Sequence, residues 1–173
     1  MITEPFVADD FVVPETVEHK HFCLAVLAPA VVEIDYDAVM SSRTRLRTVF
    51  AESDDWPKDS MTLEDNLKDL QQHEHEFKTR QAFAYTVLSN SKTKSKTKCI
   101  GCVYIDPCKL NEFDCEIYLW VRDDALDLDH ELYEFIIKWT TNDWPFSKIA
   151  YPGREIPWQT WQSLSAINQH NKT

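Results

Sequence analysis

Apolar residues recur at two different spacings along this chain, and each spacing predicts an element. From Asp35 to Phe50 the positions Val39, Leu46, Val49 and Phe50 follow the period of a helix. A second helical stripe, Leu63, Leu67, Leu70 and Phe77, begins after Thr62, a residue type suited to an N-cap. Past Arg80 the period falls to two, and QAFAYTVL sets Phe83, Tyr85 and Val87 on one face of a strand. The polar run SNSKTKSKTK (Ser89 to Lys98) leads to a further strand, CIGCVYIDP, as a β-hairpin with a long basic tip. The strand CEIYLWVR follows, with Cys115, Ile117, Leu119 and Val121 on one face and Glu116, Tyr118, Trp120 and Arg122 on the other. A helix then runs to about Asn142 with Leu132, Phe135, Ile136 and Trp139 as its apolar stripe. CLAVLAP and KIAYPG read as short strands, and IPWQTWQSL as a final helical turn or two. This order predicts a mixed α/β (α+β) domain around a largely antiparallel sheet flanked by helices. Residues 1–20 read as an extended arm, 21–165 as one domain and 166–173 as a frayed tail.

Composition narrows the functions open to this domain. Its 173 residues suffice for a real core, and 43% hydrophobic with 27% charged residues is ordinary for a globular chain. Eighteen Lys and Arg against 29 Asp and Glu leave a net charge of −11, which disfavours nucleic acid and favours cationic substrates. MITEPFVADDF has neither a basic start nor an apolar run, and no segment approaches a membrane span, so a cytoplasmic protein is expected. Its five cysteines are expected to be reduced there. Only Gly101 and Gly153 are glycines, which excludes a glycine-rich phosphate loop.

Several constellations hold candidate chemistry. Cys99-x-x-Cys102, with Cys108 and Cys115, has the residue types of a zinc site, but a spacing of three within a strand sends the first two side chains to opposite faces. Core packing is the better account, and no metal is expected. Arg43 and Arg47, four apart, could clamp a substrate carboxylate or pair with surface acids. In YPGREIPW the Pro152-Gly153 turn presents Tyr151 and Arg154 ahead of Trp158 and Trp161, either as a site or as a lid packed on the sheet edge. The lysines of the hairpin tip fit an anion or, more commonly, solvent.

VRDDALDLDHELYEF joins a strand to a helix near Asp129, the kind of turn at which backbone amides hold phosphate. Five acids stand between Asp123 and Glu131. One carboxylate about 6 Å from one phosphate charge opposes it by roughly 0.7 kcal/mol in water and about 3 kcal/mol at an effective dielectric of 20. Asp127 or Asp129 is expected to cap the helix instead, with Glu131 complementing its dipole.

AFAYTVL, CIGCVYIDP, FDCEIYLWVR and the helix after them resemble the GNAT superfamily of N-acetyltransferases over roughly residues 20–165. Ile100-Gly101 and Glu116-Ile117-Tyr118-Leu119-Trp120-Val121 carry the likeness. The resemblance implies an acyl-CoA N-acyltransferase-like fold and transfer of an acetyl group from acetyl-CoA to a small amine or a peptide N-terminus. It implies that the pantetheine arm binds the backbone of Leu119, Trp120, Val121 and Arg122, and that Asp129 and His130 stand where the pyrophosphate meets the helix. The family's glycine loop is replaced by DDALDLDHE. The two strands with which many members close their sheet are also missing, which leaves the cleft open or completed by a second copy in a homodimer. Within that plan Glu116 is expected as the base and Tyr151 as the acid, with Arg43, Arg47, Tyr118 and Arg154 around the acceptor. The alternative is a non-catalytic GNAT-like binding module. A cleft on which Glu116 and Tyr151 converge favours the enzyme, and one filled by Trp120, Trp158 or Trp161 favours the module.

Overall fold

Strands with apolar residues on both faces need a layer of helices on each side. The computed structural model, which describes residues 5–91 and 96–170, has that arrangement. Six strands lie side by side in chain order: β1 (Thr16–Glu18), β2 (Phe22–Val26), β3 (Phe83–Ser89), β4 (Cys99–Pro107), β5 (Cys115–Val121) and β6 (Ile149–Ala150). Every pairing is antiparallel except the last, where β6 runs parallel to β5 through Cys115↔Ile149 and Glu116↔Ala150. Because β6 stops after two residues, the stretch of β5 from Ile117 to Val121 has no strand on that side among the described residues.

One face of the sheet, with Phe83, Tyr85, Ile117, Leu119 and Val121, packs under α4 (Asp129–Asp143) through Leu132, Ile136 and Trp139. The other face, with Cys102, Tyr104, Tyr118 and Trp120, packs under α1 (Val32–Ser41), α2 (Arg43–Leu46) and α3 (Leu63–Lys78). The two faces read from CEIYLWVR are therefore both interior. Thr62 caps α3 as its residue type suggests: its hydroxyl accepts from the Asp65 amide at 3.1 Å, and Asp65 returns the bond to the Thr62 amide at 2.9 Å. The segment read as an arm lies against the core, with Phe6 stacked between Phe83 and Phe146 and Val7 buried.

Three expectations need correction. The helix drawn from Asp35 to Phe50 breaks at Ser42, whose backbone leaves the helix at φ −118°, ψ 11°. Ser42 is buried and its hydroxyl accepts from the Asp123 amide at 2.8 Å, a tertiary bond that competes with helix continuation. The closing helix, α5, runs from Trp158 to His170, well past one or two turns, because no glycine or proline interrupts it. Thirdly, Cys99 and Cys102 share a face. The pairing of β3 with β4 jumps from Val87↔Gly101 to Leu88↔Cys99, and this bulge passes over Ile100 and turns Cys99 back towards Cys102. Both thiols approach Asp35 Oδ1, at 4.0 Å and 3.3 Å, while the Asn66 amide donates to Asp35 Oδ2 at 2.8 Å. Burial raises the Asp35 carboxyl pKa. The ligating atoms of Asp35, Cys99 and Cys102 lie within 4.8 Å of one another, and the thiols and Asn66 already supply the carboxyl with donors.

Gly101 is the tightest point of the sheet. A Cβ there would stand 1.9 Å from the Trp120 carbonyl oxygen, so the β4–β5 pair would have to separate. Gly101→Ala is expected to cost about 3 kcal/mol of unfolding free energy. A lower urea midpoint checks this, and an unchanged midpoint contradicts it.

Candidate functional site

Where β6 ends, a cleft of about 220 Å³ opens beside β5, lined by Tyr118, Leu119 and Trp120, by Arg45 and Val49, and by Gly153, Arg154 and Trp158. A bare strand edge leaves backbone carbonyls in need of donors. Here two arginines supply them. Arg154 donates to the Leu119 carbonyl at 3.3 Å, and Arg45 donates to the Val121 carbonyl. The next amide, that of Asp123, is taken by Ser42. The backbone from Leu119 to Asp123 is thus served by side chains from two other parts of the chain.

Both arginines are held by the acidic turn. Arg154 grips Asp129 with two bonds, of 2.9 Å and 2.8 Å, and lies 5.0 Å over the Tyr133 ring. Arg45 meets Asp123 at 2.7 Å. Arg122, nearly buried, pairs with Asp124 at 2.6 Å and Asp37 at 3.1 Å. Three of the turn's five acids are therefore arginine partners, and Glu131 meets His21 at 2.7 Å. The expected side-chain cap does not form: residue Leu128 occupies the cap position of α4, and a 3₁₀ turn from Asp123 to Leu128 leads straight into the helix. The Asp129 amide bonds the Leu126 carbonyl, so the turn's own carbonyls do the work assigned to a carboxylate.

The remaining candidates scatter. Arg43 and Arg47 do clamp a carboxylate, but it is Asp59, at 3.0 Å and 2.7 Å, and Arg47 foremost holds its pKa below the ordinary range. Glu116 is half-buried and accepts from the Tyr118 hydroxyl at 3.1 Å. Burial first, then Glu116, raises the Tyr118 pKa so far that it stays a neutral donor. Tyr151 lies in the α4-side core with its hydroxyl 3.2 Å from Thr140 Oγ1, and burial lifts its pKa to about 12. Glu116 and Tyr151 do not converge, so that mark of the enzyme is missing, while Trp120 and Trp158 line the cleft without filling it. His130 is exposed beside Glu134 at 3.4 Å. Trp158 seals the cleft's outer wall by packing on Gly153, whose φ of 78° suits the turn and whose missing Cβ leaves room for the indole. The YPGR segment therefore packs down and still delivers Arg154 to the site. Arg45 and Ser42 escaped the sequence reading; the one available signal was that Arg43, Arg45 and Arg47 cannot all share a helix face.

Solved structures share this fold. The chain superposes on the ribosomal-protein-S5-alanine acetyltransferase from Vibrio fischeri with a TM-score of 0.60 at 18% identity, over 88% of this chain and 81% of that one. A Bordetella pertussis protein assigned to the GnaT family of acetyltransferases matches with a TM-score of 0.57 at 11% identity, over 90% and 87%. The microcin C7 self-immunity acetyltransferase MccE, solved with acetyl-CoA and AMP, matches with a TM-score of 0.55 at 14% identity, over 76% and 69%. The fold is that of the GNAT acetyltransferases. No family model matches the sequence, and no curated protein matches it in sequence. On this GNAT fold, the β5 edge where the resemblance puts pantetheine is the edge that Arg45 and Arg154 occupy. No helix among the described residues is long and apolar enough to cross a membrane.

Arg154→Ala should free the Leu119 carbonyl and Asp129 together. Stability is expected to fall by about 1 kcal/mol, and the Gly153 and Ile156 amides, bonded within the turn, should exchange hydrogen faster. Unchanged exchange at those amides would show that Arg154 does not hold the segment down.

Proposed function

We propose that this chain is an N-acetyltransferase, moving the acetyl group of acetyl-CoA to a primary amine on a small molecule or a peptide N-terminus. The observation that carries the reading is the half-bare edge of β5, whose Leu119 and Val121 carbonyls face a cleft and are bonded by displaceable side chains. The fold likeness supports the acyl-CoA, since MccE was solved with acetyl-CoA, and supports an amine acceptor through the alanine acetyltransferase. The net charge of −11 supports a cationic acceptor rather than nucleic acid. The five free cysteines support a cytoplasmic setting.

The residues of the cleft fit acetyl-CoA in a particular way. The strand edge suits the amide groups of an extended arm, while the turn lacks glycine and has guanidiniums close by. In this reading Arg45 and Arg154 exchange Asp123 and Asp129 for phosphate oxygens, a partner they bind in the same forked geometry. The thioester supplies an activated acyl carbon. Attack by the amine nitrogen forms the C–N bond, the C–S bond breaks as the oxyanion collapses, and the thiolate leaves. Glu116 takes the ammonium proton. Tyr118, which lines the cleft as Tyr151 does not, protonates the thiolate and takes a proton back from Glu116, to which its hydroxyl is bonded; the remaining nitrogen proton leaves to solvent as the amide forms.

Two measurements test the reading. Calorimetric titration with acetyl-CoA should show micromolar binding, and Asp123→Asn with Asp124→Asn should tighten it severalfold by releasing Arg45 and Arg122. No heat at millimolar acetyl-CoA would contradict it and leave a GNAT-fold binding module. Tyr118→Phe should lower kcat roughly a hundredfold while acetyl-CoA affinity holds; a wild-type kcat would remove Tyr118 from the chemistry.

A further inference from the structure

A second cavity, of about 250 Å³, opens on the same face of the sheet as the cleft but over β4. Its walls are apolar and aromatic, formed by Leu27, Val39 and Leu70 with the rings of Phe50, Trp56 and Tyr104. Into it turn four carboxyls, those of Asp35, Asp54, Asp69 and Asp106, and among the described residues no lysine or arginine lines it. His73 is the one basic side chain there, and burial foremost lowers its pKa, so it is neutral near pH 7. Asp35 already has donors in Asn66 and Cys102, Asp54 in the Asp55 and Trp56 amides, and Asp69 in the Trp56 side chain. Asp106 differs. No described side chain or amide donates to it, and its neighbours across the sheet and on α3 are Glu116 and Glu76. Asp106 is half-buried, and desolvation first, then those two charges, lifts its pKa to about 7. A carboxyl facing a part-apolar cavity without a donor or a cation is costly, and a ligand carrying positive charge removes that cost.

We propose that this cavity binds the ammonium group of an alkylamine. The chemistry of the walls selects that class. A calcium or magnesium ion wants six or more oxygens and a zinc ion four close ligands, whereas among the described residues no three ligating atoms of Asp54, Asp69, His73 and Asp106 lie close enough together to share an ion. An alkylammonium uses both parts, its charge against the carboxyls and ring faces and its stem against Leu27, Val39 and Leu70. Phe50 fixes the relation to the cleft. Its ring centroid lies 5.0 Å from that of Tyr104, which lines the cavity, and 5.3 Å from that of Tyr118, which lines the cleft. Phe50 is the partition between them. Resting on the acetyltransferase reading, the inference names the acceptor class as a diamine, one ammonium seated in the cavity and the other nitrogen directed past Phe50 towards the thioester.

Binding can be tested without acetyl-CoA, because Trp56 lines the cavity and its fluorescence reports occupancy. Titration with 1,4-diaminobutane should quench saturably in the wild type and not in Trp56→Phe. Butan-1-ol, of similar size and uncharged, should have no effect. Asp106→Asn, a near-isosteric change, should weaken diamine binding about tenfold. Binding should strengthen between about pH 6 and pH 8 as Asp106 loses its proton, with Asp35, Asp54, Asp69, Glu76, Glu116 and His73 as the other groups facing it. Equal response to the alcohol, wild-type affinity in Asp106→Asn, or displacement by magnesium chloride but not by sodium chloride of equal ionic strength would each overturn the proposal. Turnover separates the two readings. Diamine binding without acetyl transfer would sink the acetyltransferase and leave the cavity assignment standing. Transfer to butylamine as efficient as to the diamine would sink the acceptor class and leave the enzyme.

Discussion

A β-strand that loses its neighbour halfway along must find other donors for its carbonyls. That constraint, imposed on β5 by a two-residue β6, organises the site. Without a partner strand beyond Glu116, the Leu119 and Val121 carbonyls are served by Arg154 and Arg45. Those guanidiniums need anions, which the turn after β5 supplies as Asp123 and Asp129. The acidity of that turn then follows from the same cause. The turn is built to hold arginines, and the arginines are positioned to hold the strand edge.

This changes the electrostatic question raised by the five acids. Considered alone they oppose a phosphate, but three of the five are paired with Arg45, Arg122 and Arg154, and two of those cations, Arg45 and Arg154, line the cleft. Exposed and half-exposed ion pairs are weak enough to exchange partners. In the proposed reading, a phosphate arriving at the α4 end of the cleft competes for guanidiniums that are already oriented, in place of the backbone amides of a glycine loop. The same arrangement makes Arg154 a tie between the YPGR segment, α4 and β5.

Much of the fold was legible because burial has a period. The alternation in CEIYLWVR and the stripe ending at Trp139 identify the faces that meet α4, and Thr62 marks where α3 starts. What was hidden depends on contacts distant in sequence. The break at Ser42 exists because its hydroxyl meets Asp123, some eighty residues on, and no local pattern encodes that bond. The bulge that brings Cys99 beside Cys102 is a register shift between two strands, visible in neither alone. Of the candidate residues, Leu119 and Trp120, which the family resemblance implied, and Arg154, which the glycine turn marked, line the cleft. Arg45 was missed because a continuous helix would have turned it away from β5. Asp106 was missed because it looked like the end of an ordinary strand, and only the fold encloses it with Glu76 and Glu116.

The central claim is that Arg45 and Arg154 stand on the cofactor edge of β5 and change partners when acetyl-CoA binds. Nitrogen–proton NMR of the arginine Nε groups during an acetyl-CoA titration tests it most directly. The account predicts that the Arg45 and Arg154 signals shift saturably and together, while Arg43 and Arg47, which clamp Asp59 away from the cleft, stay in place. Acetyl-CoA binding that leaves the Arg45 and Arg154 signals unmoved would contradict it.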